Sequence, residues 1–172
     1  MKHRQDQEPE TSDSLTDRTG IRDRAKESIG TVQAGISCNL IRPEYVDAIW
    51  PEVAPHLARC IPHSEGELEL DDFHDYLVKG EMQLWIAVDE VIVAAMATQI
   101  VPYPRKRILR IIAIAGDEME RWFHFLPAIE DWALEQGCTA LEAWGRKGWL
   151  KVLEDWKCSY HVLTKDLKIR MH

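Results

Sequence analysis

The chain has 172 residues, 45% of them hydrophobic and 29% charged, with a formal net charge of −8. This is enough for one domain with a buried core, and an acidic chain with scattered basic residues is poorly suited to nucleic-acid phosphates. No run of eighteen apolar residues offers a membrane span, and no apolar core of a signal peptide opens the chain. Cys38, Cys60, Cys138 and Cys158 form no C-x-x-C pair, so they read as reduced thiols of a protein that stays in the cytoplasm where it is made.

Residues 1–36 are polar and almost free of aromatic and branched apolar side chains, which predicts an arm that cannot fold alone. The arm is either an inert extension or a segment that orders against a partner. Residues 37–172 form the folded domain. Pro43 suits a first helical turn, and Val46, Ile49, Trp50, Val53 and Leu57 follow at helical spacing. Pro51 and Pro55 predict a split or kink near Trp50. A second helix over residues 71–79 buries Phe73, Tyr76 and Leu77 and stops at Gly80.

Three strand-like runs come next, over residues 82–88, 91–101 and 107–115, joined by short turns as an antiparallel meander. The third is almost continuously apolar, the pattern of a central strand covered on both faces. A helix over residues 117–136 places Trp122, Phe125, Leu126, Ile129, Trp132 and Ala133 on one stripe, with Pro127 predicted to bend it. A strand over 139–143 should run parallel to its predecessor, because a helical crossover connects parallel strands. The turn Trp144-Gly145-Arg146-Lys147-Gly148-Trp149 then leads into a short helix over 149–156, with both tryptophans expected to close the core, and a last strand over 160–165.

Seven tryptophans must be buried in the core or against a partner. His63, His74, His124 and His161 lack metal-pair spacing, and no metal site is expected. Glu69, Asp71, Asp72 and Asp75 suit a helix N-terminus better than a general-base role. Arg105-Lys106-Arg107 with Arg110, and Arg146-Lys147 with Lys151, read as solvated turns or as a surface for an anion or an acidic partner.

The order of helical pair, meander, helix and strand-helix-strand ending, an α+β fold on a mixed sheet, resembles the GNAT acetyltransferases. Local motifs resemble most a GNAT-like family found among phage structural genes: Arg42-Pro43-Glu44-Tyr45-Val46 with Trp50-Pro51-Glu52-Val53-Ala54-Pro55, Met82-Gln83-Leu84-Trp85, Tyr103-Pro104-Arg105-Lys106-Arg107 and Gly145-Arg146-Lys147-Gly148-Trp149. The resemblance implies acetyl-CoA as cofactor if the protein is active, with pantetheine along Ile111, Ile112, Ala113, Ile114 and Ala115 and pyrophosphate at Gly116 and Arg121. Active relatives carry Q/R-x-x-G-x-G/A in that loop; this chain has Ala115-Gly116-Asp117-Glu118-Met119-Glu120-Arg121. Each carboxylate there would repel a unit phosphate charge by roughly 3 kcal/mol at about 5 Å and an effective dielectric near 20, before salt screening.

The general-acid tyrosine that many GNAT enzymes carry after the fifth strand is missing from residues 149–156, which leaves Tyr160 as the substitute acid and Glu69 or Asp72 as the base. The expectation is a phage GNAT-fold protein with a degenerate acyl-CoA site and no cofactor. It would act in the virion or its assembly and bind other virion subunits through the arm and exposed tryptophans. An active N-acetyltransferase is the alternative.

Overall fold

The computed structural model describes residues 26–27, 32–33, 35–145, 147–153, 155–159, 162–165 and 167. Among the described residues seven strands form one sheet: β1 (Lys26–Glu27), β2 (Val32–Gln33), β3 (Ile36–Ile41), β4 (Gln83–Asp89), β5 (Val91–Tyr103), β6 (Lys106–Gly116) and β7 (Ala140–Ala143). Their order is β1-β3-β4-β5-β6-β7, with β2 also on β3. Every pairing is antiparallel except β6 with β7, which is parallel as the crossover predicts. The described helices are α1 (Val46–Ala58), α2 (Leu70–Val78) and α3 (Leu126–Glu135).

Strand alternation sorts the core onto two faces. Ile36, Cys38, Leu40, Trp85, Met96 and Leu109 face α3 and its Ile129 and Ala133. Ile41, Leu84, Ile86, Ala95, Ala97 and Ala113 face α1 and α2. On the α3 side Trp85 donates from Nε1 to Thr98 Oγ1 at 2.9 Å, and its ring meets Trp132 edge-on at 5.0 Å between centroids. The bond satisfies the indole N–H inside the core.

The meander, the second helix and the parallel strand match the sequence expectations within a residue or two. Several features differ from the expectations. β3 was not foreseen. Its run Ile36-Ser37-Cys38-Asn39-Leu40-Ile41 is short and interrupted by polar residues, but Ile36, Cys38 and Leu40 alternate onto one face and become buried against β4. β1 and β2 pair with it from within the segment read as an arm.

α1 runs through Pro51 and Pro55 without splitting. Both prolines are exposed, so the carbonyls they leave unbonded on that side can face water. Val46, Ile49, Val53 and Leu57 are almost fully buried on the opposite side, and about 1.5–3 kcal/mol for each is enough to offset about 3 kcal/mol per proline.

The helix read over 117–136 is mostly not helical at its start. Two 3-10 turns, Met119–Arg121 and Phe123–Phe125, precede α3, and Glu118 stands at φ 50, a left-handed value that breaks helix propagation. Pro127 falls in the first turn of α3, where it starts the helix and does not bend it. The helix read over 149–156 is a 3-10 turn, Lys147–Lys151, after which the Trp149 carbonyl accepts from the Val152 and Leu153 amides. Eight residues are too few to stabilise an isolated α-helix.

In the strand read over 160–165, residues 162–165 are exposed and carry no strand, while Tyr160 and His161 lie outside the described residues. Of the two tryptophans expected to close the core, Trp149 is half-buried and Trp144 is 53% exposed.

Candidate functional site

β7 ends beside a bulge in the β5–β6 pairing. Ala97 pairs with Ala113 and Thr98 with Ile111, which leaves Ile112 as an extra residue. β7 pairs with β6 only from Ile108 to Ile111. Beyond Ile111, among the described residues, β6 has a strand neighbour on the β5 side alone. The stretch Ile112, Ala113, Ile114, Ala115 and Gly116, read from the resemblance as a pantetheine track, thus has an unpaired edge on the β7 side among the described residues. Ile111 and Ile114 pack toward the α3 core and Ile112 toward the α1–α2 core, so the bulge shifts the facing of the strand.

The loop after β6 is closed by its own side chains. Gly116 lies under Trp122 and against Ala94: a Cβ here would meet Ala94 Cβ at 2.4 Å and Trp122 Nε1 at 2.8 Å. The Asp117 amide donates to the Val93 carbonyl at 2.9 Å, the Arg121 amide to the Glu118 carbonyl at 2.8 Å and the Trp122 amide to the Met119 carbonyl at 3.2 Å. Trp122 Nε1 donates to the Asp117 carbonyl at 3.0 Å. Arg59, at the end of α1, bonds Asp117 Oδ1 at 2.8 Å and the Gly116 carbonyl at 3.3 Å. Arg121 bonds Glu118 Oε2 at 3.1 Å and also the Asp89 carboxylate.

Both guanidinium groups near the loop are therefore already held by carboxylates. The helix proper starts only at Leu126, so its positive end is not presented by this loop. Asp117, Glu118 and Glu120 are all exposed on this loop.

Glu69 and Asp72 form a reciprocal capping box at the start of α2: the Glu69 side chain accepts from the Asp72 amide, and the Glu69 amide donates to Asp72 Oδ2 at 2.8 Å. Both are exposed and serve the helix end. The third proposed catalytic group, Tyr160, lies outside the described residues. His74 Nε2 is 2.8 Å from Asp47 Oδ1, with Trp50 edge-on at 4.7 Å, and ties α2 to α1. No group of three His, Cys, Asp or Glu among the described residues is placed to hold a metal.

A second cluster joins two motifs far apart in sequence. Arg110 Nε donates to Glu142 Oε1 at 2.7 Å, with both side chains only 16% exposed, and Nη2 donates to the Tyr103 hydroxyl at 3.1 Å. The guanidinium lies 4.3 Å from the centre of the Trp144 ring, and Trp144 Nε1 donates to Glu142 Oε1 at 3.1 Å. Glu142 is not singled out from sequence; it meets Arg110 through the β6–β7 register, which residue spacing does not reveal.

The arrangement defines a GNAT-like fold, and solved acetyltransferases share it. An aminoglycoside acetyltransferase from an uncultured soil metagenomic sample superposes with a TM-score of 0.57 at 10% identity, covering 78% of this chain and 99% of its own. A possible acetyltransferase from Clostridium difficile 630 gives 0.55 at 12% identity, covering 78% and 99%. A GCN5-related N-acetyltransferase from Ralstonia eutropha JMP134 gives 0.54 at 12%, covering 79% and 99%. At these identities the likeness is one of fold. No family model matches the chain, and no curated protein matches it.

Proposed function

We propose that this chain uses a GNAT-like scaffold as a binding component of a larger assembly and does not transfer acetyl groups efficiently. The observation that carries this reading is the closed loop after β6. Arg59 and Arg121, the cations nearest the cofactor position, are engaged by Asp117, Glu118 and Asp89, and the amides of Asp117, Arg121 and Trp122 are bonded within the protein. Binding a pyrophosphate would require breaking these contacts and placing anions among carboxylates. The setting proposed from the sequence resemblance is a phage virion. Mass spectrometry of purified particles should find several copies of the protein, and its absence there would remove that setting.

One feature favours the alternative, an acetyl-CoA-dependent N-acetyltransferase. β7 ends opposite Ile111, so the edge of β6 beyond it has no described strand partner on that side, and a pantetheine arm could add there as another strand would. The protein would then need its acid outside the described residues, at Tyr160, and a base released from the α2 capping box. Titration with acetyl-CoA separates the two readings.

A further inference from the structure

The two ends of the sheet carry opposite charge. At one end the β5–β6 hairpin projects: β4 accompanies β5 only as far as Gln83 opposite Thr98, and the five residues from Gln99 to Tyr103 continue for about 17 Å with β6 as their strand partner. At the tip Arg105, Lys106 and Arg107 are exposed, and Lys106 Nζ sits 5.3 Å over the Tyr103 ring. The hairpin has no carboxylate between Thr98 and Arg110. Glu81 in the α2–β4 connection and Glu135, the last residue of α3, lie toward this end, while Glu44 is paired with Arg42, Asp75 with Lys79 and Glu142 with Arg110.

At the other end β5 begins and β6 stops. α1 arrives there, with His56 Nε2 3.1 Å from the Ile92 carbonyl and Arg59 on Asp117, so the α1–α2 connection leaves from this end. Glu65 and Glu67 in that connection, Asp71 in the first turn of α2, Glu90 in the β4–β5 turn and Glu120 after β6 are all exposed. Arg59 and Arg121 lie at this end too but are already paired with Asp117, Glu118 and Asp89. The hairpin cannot reach its own acidic end, because β6 alone, Lys106–Gly116, separates them by about 33 Å.

We propose that the basic hairpin tip of one copy docks on the acidic end of a second copy, so that the protein associates head to tail. A heterologous contact of this kind closes into a ring or grows as an array, depending on the rotation between neighbours. The proposal supplies a partner for the assembly reading and rests on that reading for its purpose. Pro102 and Pro104 at the hairpin lack amide protons, which discourages strand addition and leaves charge as the means of recognition.

Sedimentation velocity on the full chain tests this at about 20 mM and about 500 mM salt, where screening lengths differ severalfold. The wild type should associate at low salt, and its apparent Kd should weaken by about tenfold or more at high salt. The triple variants Arg105→Glu/Lys106→Glu/Arg107→Glu and Glu67→Lys/Asp71→Lys/Glu120→Lys should each be monomeric. Mixed together they should associate again, because reversed hairpins meet reversed acidic ends; this arm also shows that both variants are folded.

A wild type that stays monomeric at low salt overturns the proposal, as does association that either triple variant leaves unchanged. A monomeric protein that binds a DNA duplex through the hairpin also overturns it. Failure here is separable from failure of the assembly reading. A monomer that does not bind acetyl-CoA loses only the head-to-tail contact, whereas acetyl-CoA binding removes the assembly reading whatever the oligomeric state.

Discussion

Arg59 Nη1 stands 2.8 Å from Asp117 Oδ1, which ties the end of α1 to the loop that follows β6. The same guanidinium reaches the Gly116 carbonyl, and Trp122 closes the loop from within through its bond to the Asp117 carbonyl. An exposed ion pair alone contributes at most about 1 kcal/mol. The loop is held by the combination of this pair, the buried Trp122 and the close contact of Gly116 with Ala94.

Gly116 should therefore tolerate no side chain. In Gly116→Ala the new methyl would lie 2.9 Å from Ala94 Cα, a backbone atom with little freedom to move. Urea unfolding should show a loss of about 1–3 kcal/mol, the usual range for overpacking. An unchanged midpoint and slope would mean that the loop is looser than described.

Thr98 joins two strands through one buried hydroxyl, accepting from Trp85 Nε1 at 2.9 Å and donating to Gln83 Oε1 at 3.2 Å. Thr98→Val keeps the shape and leaves the buried indole N–H without its acceptor, which should cost about 1–3 kcal/mol. Thermal unfolding compared with Thr98→Ser, which keeps the hydroxyl, separates the lost bond from lost packing. Equal destabilisation by Val and Ser would contradict this role.

Burial pushes the Cys38 thiol from 9.0 up to about 12. The folded state therefore keeps its proton where the unfolded chain has released it. The contribution is fully present below about pH 9 and is lost as pH rises toward 12, with a slope of about −1.4 kcal/mol per pH unit. Denaturant titrations between those limits should show that Cys38→Ala removes about that slope relative to wild type. Parallel slopes would refute it. In the folded protein the exposed Cys158 should react with a thiol reagent well before Cys38 and Cys138.

Trp144 is the tryptophan most open to solvent, at 53%. Acrylamide should quench part of the wild-type fluorescence readily, and Trp144→Phe should abolish most of that accessible fraction. Retained quenching would place another tryptophan at the surface.

Periodicity made the meander, α2, the parallel strand and the crossover legible, because each buries a face long enough to leave a clear pattern. β3 escaped notice since Ser37 and Asn39 interrupt its apolar run, and Asn39 is itself fully buried. α1 survived its prolines because they fall on its exposed side. The segment after β6 departs from helix at Glu118, whose left-handed backbone no helical periodicity announces. Of the site, the carboxylates of the loop were visible in sequence. Their partner Arg59 was not, because it lies 58 residues away and meets Asp117 only once α1 is laid across the sheet.

The closed loop after β6 should not accept an acyl-CoA. Isothermal titration of the full-length protein with acetyl-CoA tests it most directly. No binding heat up to millimolar ligand is predicted, and a dissociation constant in the micromolar range would mean that the loop opens to the cofactor.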